Sequence, residues 1–152
     1  MAPLLIGCDN AAVDLKKSIV AYLTEKGLPF EDVGVLETDD DTMYPMIAQK
    51  VAQKIQESNY EREGILLCGT GIGMAIAANK FKGIYAAVCH DPFSAERARK
   101  SNNTNIITMG ARVIGQELAK KILEEWLNSK YVVSSSTPKV NTIAAFESEN
   151  FK

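Results

Sequence analysis

Short apolar runs alternate with amphipathic segments along most of the chain. Five segments predict strands, at 4–9, 30–33, 64–68, 85–90 and 105–110, and all but the short one at 30–33 are mostly apolar runs that indicate burial. Between them, apolar positions recur at helical spacing and predict helices at 12–26, 45–57, 74–80, 94–100 and 116–128. Strands and helices that alternate in this way form a parallel sheet covered on both faces. The predicted fold is therefore α/β, a Rossmann-like three-layer sandwich with a five-stranded parallel sheet.

The pattern changes near residue 130. Residues 132–138 are rich in serine and predict a loop, and residues 140–146 predict a short helix. We expect residues 1–130 to form the sandwich domain. Residues 131–152 then form a C-terminal loop and short helix that docks on this domain or on a partner subunit.

The amino-acid composition limits the partners and the cellular location that we expect. A net charge of −2 without a basic block gives no indication of nucleic acid or an anionic membrane as a partner. No apolar run approaches the length of a membrane span, and the first residues enter a strand pattern without the basic region of a signal peptide. Three cysteines, an odd number, favour reduced thiols over a disulfide scaffold. We therefore expect a cytoplasmic protein.

Cys68 is the candidate with the clearest chemistry. It ends a predicted strand and opens a loop that contains Gly69, Gly71 and Gly73, and a helix follows. Ligands of open α/β sheets bind at the carboxyl ends of strands. Free backbone N–H groups there favour an anion and the thiolate form of cysteine. A base beside such a loop suits removal of a proton next to a carbonyl and stabilisation of the resulting enediolate.

Several ordered motifs, together with this loop, resemble the ribose-5-phosphate isomerase B family, which includes galactose-6-phosphate isomerase subunits. The motifs are Gly7-Cys8-Asp9, Tyr44-Pro45, Cys89-His90-Asp91, Ser94-Ala95, Asn102-Asn103-Thr104-Asn105 and the run from Gly110 to Gly115. The resemblance implies an aldose–ketose isomerase that works through an enediolate without a metal or an organic cofactor. It also implies a sugar phosphate as partner and a homodimer or homotetramer with composite active sites.

The resemblance also assigns roles. Cys68 matches the base that moves a proton between C1 and C2, and Thr70 and Asp9 match groups near the substrate hydroxyls. These three are the predicted catalytic residues. Further residues are predicted to bind the substrate: in the anion-binding loop, in the pocket wall, at the phosphate end, and from the partner subunit. They are Asn10, Tyr44, Gly69, Gly71, Ile72, Gly73, His90, Ser101, Asn102, Arg112 and Lys139.

Departures from the family pattern bear on the substrate. Asn10 stands where the family usually has histidine, and Ser101 stands where ribose-phosphate members have the histidine assigned to ring opening. Ser135 and Lys139 replace two arginines of the phosphate end. An open-chain substrate needs no ring opening, and a tetrose 4-phosphate cannot form a furanose because its O4 carries the phosphate. A tetrose phosphate is therefore a candidate beside ribose 5-phosphate, galactose or allose 6-phosphate and an unphosphorylated sugar.

Other interpretations of the same residues stay open at this point. The glycine loop follows a strand, as in dinucleotide-binding domains, but its spacing breaks the G-x-G-x-x-G pattern. The lost histidines and arginines also fit a non-catalytic sugar-phosphate-binding subunit of a paired isomerase. His90 can face the pocket or cap the next helix, and Asp9 can cap the helix that follows it. We expect Cys8 and Cys89 to be core residues.

Overall fold

Five parallel strands form one sheet in the computed structural model, which describes residues 1–151. The strands are β1 (Leu4–Cys8), β2 (Phe30–Asp32), β3 (Gly64–Cys68), β4 (Ala86–Val88) and β5 (Ile106–Gly110), in the spatial order β2-β1-β3-β5-β4. The three central strands are buried along their whole length, as their unbroken aliphatic sequences predict. The predicted five-stranded α/β sandwich is confirmed.

Helices cover both faces of the sheet. They are α1 (Val13–Glu25), α2 (Tyr44–Glu57), α3 (Ile72–Ala78), α4 (Pro92–Lys100), α5 (Gln116–Asn128) and α6 (Thr137–Asn150), and a single 3₁₀ turn covers Asn10–Ala12. α5 contacts both α1 and α4, whereas α2 contacts α3. Among residues 1–151, no helix combines the length and the apolar character that a membrane crossing needs.

The two edge strands are shorter than the sequence predicts. β2 and β4 have three residues each and are half-buried. The predicted strand at 85–90 keeps ladder pairing with β5 only as far as Val88 and Thr108, although the Cys89 amide still donates to the Thr108 carbonyl at 3.1 Å. His90 therefore lies beyond the ladder, where its side chain is free to take another partner.

The C-terminal helix is longer than the predicted 140–146. Pro138 lies in its first turn, a position where the missing N–H costs nothing, so the helix begins earlier. α6 has no buried residue, yet its Glu147 carboxylate accepts hydrogen bonds from the Gly83 amide and the Tyr85 hydroxyl, both at 3.0 Å. Burial, followed by this carboxylate, raises the pKa of Tyr85 to about 12. Through these two bonds α6 contacts the sandwich of its own subunit, and a cavity of about 670 Å³ lies between α6, β4 and α4.

Candidate active site

The Cys68 thiol lies inside the glycine loop. Its side chain is 5% exposed, and its Sγ accepts a hydrogen bond from the Gly71 amide at 3.1 Å. Gly71 has a φ of +79°, and a Cβ there would lie 3.0 Å from the Met109 backbone. Only glycine meets both conditions without strain. The backbone amide thus points at the sulfur, where it binds a thiolate more strongly than a thiol.

The end of β5 supports this loop. The Cys68 carbonyl accepts from the Ala111 amide at 2.9 Å, and the Gly69 carbonyl accepts from the Arg112 amide at 3.0 Å. The Thr108 hydroxyl donates to the Gly71 carbonyl at 2.8 Å. A Cβ on Gly110 would lie 2.5 Å from the Thr70 Cα, so the two backbones touch. The position of Cys68 and its loop therefore depends on the position of β5.

Two large side chains lie on glycines of the same loop. A Cβ on Gly73 would come within 2.5 Å of the Tyr44 ring, and one on Gly69 would lie 3.3 Å from Nη1 of Arg112. The absence of side chains at these glycines lets the ring and the guanidinium approach the loop backbone. Tyr44, Arg112 and the loop are therefore brought together, as the sequence predicts.

Asp9 lies beside this group at the end of the neighbouring strand. Cys8 pairs with Leu67 across the ladder, and the Asp9 amide donates to the Leu67 carbonyl at 3.3 Å. Oδ1 of Asp9 accepts from the Ala11 amide at 3.0 Å, so the alternative capping role is present in the structure. Exposed Asn10 follows in the 3₁₀ turn. The carboxyl ends of β1 and β3 thus place Asp9 and Cys68 on neighbouring strands at the same end of the sheet.

The other two cysteines are core residues, as predicted. Burial raises the pKa of Cys8 to about 12 and that of Cys89 to about 11, so both remain thiols near neutral pH. Their sulfurs donate to the carbonyls of Val35 at 3.5 Å and Ala87 at 3.8 Å. Both sulfurs are therefore donors, whereas the Cys68 sulfur is an acceptor.

His90 takes a role that the sequence analysis does not foresee. Its Nε2 accepts from the Gly110 amide at 2.9 Å. The cap of α4 is Asp91, whose two carboxylate oxygens accept from the amide and hydroxyl of Ser94, each at 2.7 Å. The helix-cap alternative for His90 is therefore wrong.

Three predicted site residues lie at the opposite end of the strands from Cys68, near the amino-terminal ends of β3 and β5. Ser101 and Asn102 follow α4, which runs back to where β5 begins, beside the first residue of β3. Lys139 lies in the first turn of α6, and the segment before α6 is tied to the same place by a bond from the Val132 amide to the Lys100 carbonyl at 3.3 Å. One strand of this length spans about 13 Å. Within one subunit these residues are not brought together with Cys68.

Comparison with known proteins identifies the family of this chain. A family model described as Ribose/Galactose Isomerase matches residues 4–143.

The chain belongs to the ribose/galactose isomerase family.

It is 50% identical to a D-erythrulose-4-phosphate isomerase of Pectobacterium atrosepticum, over 97% of this chain and 96% of that protein. It is 48% identical to a ribose-5-P isomerase B of Listeria innocua, over 97% and 98%. The structure of ribose-5-phosphate isomerase B from Mycoplasma genitalium with bound ribulose-5-phosphate superimposes with a TM-score of 0.92 at 30% identity, over 97% of each chain. Membership of this family decides against the dinucleotide-binding alternative.

One residue that supports the site was missed by the sequence analysis. Lys16 of α1 is 3% exposed, and its ammonium binds Oδ2 of Asp32 at 2.8 Å and the Val35 carbonyl at 2.5 Å. It thereby ties α1 to the segment that leads from β2 to Tyr44. A signal was available, because Lys16 shares the helical face of Ile19 and Leu23, where an apolar residue is expected.

Proposed function

We propose that this protein is an aldose–ketose isomerase that acts on an open-chain tetrose 4-phosphate, with Cys68 as the base. Isomerase activity on a sugar phosphate follows from the family to which the chain belongs. The observation that carries the assignment of the base is the Gly71 amide directed at the Cys68 sulfur. Cys8 and Cys89, whose thiols burial keeps protonated, offer no competing base.

The proposed reaction needs one mobile proton on carbon and one on oxygen. The Cys68 thiolate removes the proton from the carbon next to the carbonyl, and the carbonyl oxygen becomes the oxyanion of an enediolate. Backbone amides of the loop 69–73 stabilise that charge. The Cys68 thiol then returns the proton to the former carbonyl carbon. Thr70 and Asp9 move the remaining proton between O1 and O2, so the overall reaction is a rearrangement without a redox partner.

The substrate class rests on Ser101. A serine hydroxyl does not titrate near neutral pH, so Ser101 cannot replace an imidazole as the acid–base group for ring opening. A tetrose 4-phosphate is open-chain and needs no such group. The relative from Pectobacterium atrosepticum, named for D-erythrulose 4-phosphate, supports this choice. Arg112 and Lys139 are the proposed phosphate-binding residues.

Ribose 5-phosphate is the second candidate substrate. The relative from Listeria innocua, named a ribose-5-P isomerase B, favours it. The deciding experiment compares kcat/KM for phosphorylated and unphosphorylated sugars of four to six carbons. We expect the tetrose 4-phosphate to be turned over fastest and phosphate to be required. A clear preference for ribose 5-phosphate would contradict the tetrose proposal.

Cys68→Ala tests the base. Loss of a general base costs on the order of 10²–10⁴-fold in rate. We expect Cys68→Ala to abolish proton exchange from the substrate carbon with solvent, followed by NMR in D₂O. Cys8→Ala is the matched control and should keep most of the exchange, because that sulfur lies in the core. Near-normal turnover by Cys68→Ala would refute the assignment.

We further propose a homodimer in which each site uses both subunits. Ser101, Asn102 and Lys139 lie at the opposite end of the strands from Cys68, so a second copy must supply them to the substrate. Apolar side chains support an interface. Ile72 and Ile76 of α3 are 54% and 59% exposed, and exposed Phe146 lines the cavity beneath α6.

The three free cysteines agree with a cytoplasmic location.

Mixing two inactive variants tests the composite site directly. Cys68→Ala lacks the base, and Asn102→Ala lacks the partner's contribution. Hybrid dimers contain one site with both residues intact, so random exchange of subunits restores about a quarter of full activity. Unmixed samples, taken through the same exchange procedure, are the control. Activity that stays at the level of the unmixed variants, despite hybrids seen by native mass spectrometry, would contradict shared sites.

A further inference from the structure

His90 lies at the junction between the edge strand and the strand that supports the active loop. The ladder between β4 and β5 ends at Val88, and the Cys89 amide makes the last backbone bond to Thr108. Two residues farther along β5, the Gly110 amide donates to Nε2 of His90 at 2.9 Å. The imidazole thus continues the ladder with a side-chain acceptor.

This bond fixes the protonation of the ring. A backbone N–H can only donate, so Nε2 must carry a lone pair and the proton must reside on Nδ1. An imidazolium has no acceptor and would face the Gly110 amide with a second N–H. Protonation of His90 therefore breaks the bond and leaves the end of β5 without this support.

Gly110 lies directly against the catalytic loop. It pairs with Cys68 in the ladder, and its Cα lies against the Thr70 backbone. The next two amides of the chain, those of Ala111 and Arg112, bind the Cys68 and Gly69 carbonyls. A shift of Gly110 is thus passed on to the base and to the amides around it.

We propose that His90 is a positioning residue, whose neutral imidazole holds Gly110 and thereby keeps the Cys68 loop in its active arrangement. The inference rests on the proposed function only in taking that loop as the active centre. This role replaces the substrate-binding role that the sequence analysis predicts for His90, because Nε2 is already occupied by the Gly110 amide, and it makes activity sensitive to acid.

The charged surroundings of His90 give the direction of the pH effect. Burial lowers the pKa of His90 from its ordinary value of 6.5, and Asp91 opposes that shift. The elements packed against β4, the strand that leads to His90, are β5 and α3; neither carries an ionisable side chain, and the segment after β5 carries Arg112. Because the neutral form makes the bond, the support is present above pH 6.5 and is lost as the pH falls through the lowered pKa.

The first test reads the imidazole itself and needs no substrate. His90 is the single histidine of the chain, so its ring signals are assigned without further variants. Long-range ¹H–¹⁵N correlation at about pH 8 should show a protonated Nδ1 and a lone pair on Nε2. The Gly110 amide shift should titrate together with the ring. A proton on Nε2 would overturn the proposal.

The second test uses His90→Gln, whose amide oxygen lies the same number of covalent bonds from Cα as Nε2 and accepts at every pH. The kcat/KM of both proteins is measured on whichever of D-erythrulose 4-phosphate and ribose 5-phosphate reacts faster. Titration of the substrate phosphate is common to both proteins and cancels in their ratio. Below pH 6.5 the ratio of wild type to His90→Gln should fall, while the two proteins agree within a few-fold at higher pH.

His90→Leu removes the acceptor and, above pH 6.5, should lose on the order of ten- to a hundred-fold in kcat/KM relative to wild type. A ratio of wild type to His90→Gln that does not change with pH would contradict the proposal, whether or not His90→Leu folds. The two proposals can fail independently. An active Cys68→Ala would refute Cys68 as the base, but it would not change the NMR result for His90.

Discussion

Gly71→Ala tests whether the loop geometry is needed for catalysis. The substitution places a side chain at a φ of +79°, and its Cβ meets the Met109 backbone at 3.0 Å. The left-handed conformation costs a non-glycine residue about 1–2 kcal/mol. Backbone atoms of a core strand cannot move aside cheaply, so the loop must shift, and the Gly71 amide moves away from the Cys68 sulfur.

The chain offers a matched control for the conformational cost alone. Gly27, which follows α1, has a φ of +68°, and nothing lies within 4 Å of a Cβ placed there. Gly27→Ala should lower the free energy of unfolding by the same 1–2 kcal/mol and leave kcat/KM unchanged. Gly71→Ala should lower it further and should also reduce kcat/KM by on the order of a hundred-fold, because a displaced donor no longer meets the developing charge.

Urea unfolding at one fixed protein concentration measures the stability of both variants, and steady-state kinetics measures the activity. The decisive quantity is the activity of the folded Gly71→Ala protein compared with that of Gly27→Ala. Equal kcat/KM for the two variants would show that the amide of residue 71 has no part in the reaction, and the argument for an ordered loop would fail.

Two further predictions concern the support of the site and the substrate. Lys16→Met leaves the half-buried Asp32 carboxylate without its ammonium partner, so urea unfolding should show a loss of about 1–3 kcal/mol. Lys120→Met, at an exposed ion pair, should change the free energy of unfolding by less than about 1 kcal/mol. Similar losses for the two variants would contradict a structural role of the Lys16–Asp32 pair. Ser101→His should raise kcat/KM on ribose 5-phosphate relative to the tetrose 4-phosphate in a competition assay, and an unchanged ratio would mean that ring opening does not depend on position 101.

The features predicted correctly from the sequence are those that depend on neighbours along the chain. The Cys68 loop is an example, because the Gly71 amide that binds the sulfur is only three residues away. The spacing of the glycines after Cys68 therefore already indicates the geometry of the loop. The fold was predictable for a similar reason, since each of the three buried central strands is indicated by a mostly aliphatic run of residues.

The features that were missed depend on contacts between distant residues. The bond between His90 and Gly110 joins residues 20 positions apart, and the Lys16 contact with Val35 spans 19 positions. The extent of α6 was also missed. Glu147, which anchors that helix on Gly83, lies beyond the apolar residues on which the shorter prediction rested. In each case the fold brings together two residues that are distant in the sequence, so no local sequence pattern indicates which residues will be in contact.

The separation of the site residues suggests how one fold serves sugars of different length. On the proposed composite site, the proton transfer between two adjacent carbons uses only the loop of Cys68 and its neighbours on β1 and β5. That part of the reaction is the same for every aldose–ketose pair. In the homodimer that we propose, residues at the opposite end of the strands, among them Ser101 and Lys139, contact the substrate from the partner subunit. Substitutions there change ring opening and phosphate binding without disturbing the base, because no contact in the loop of Cys68 depends on them.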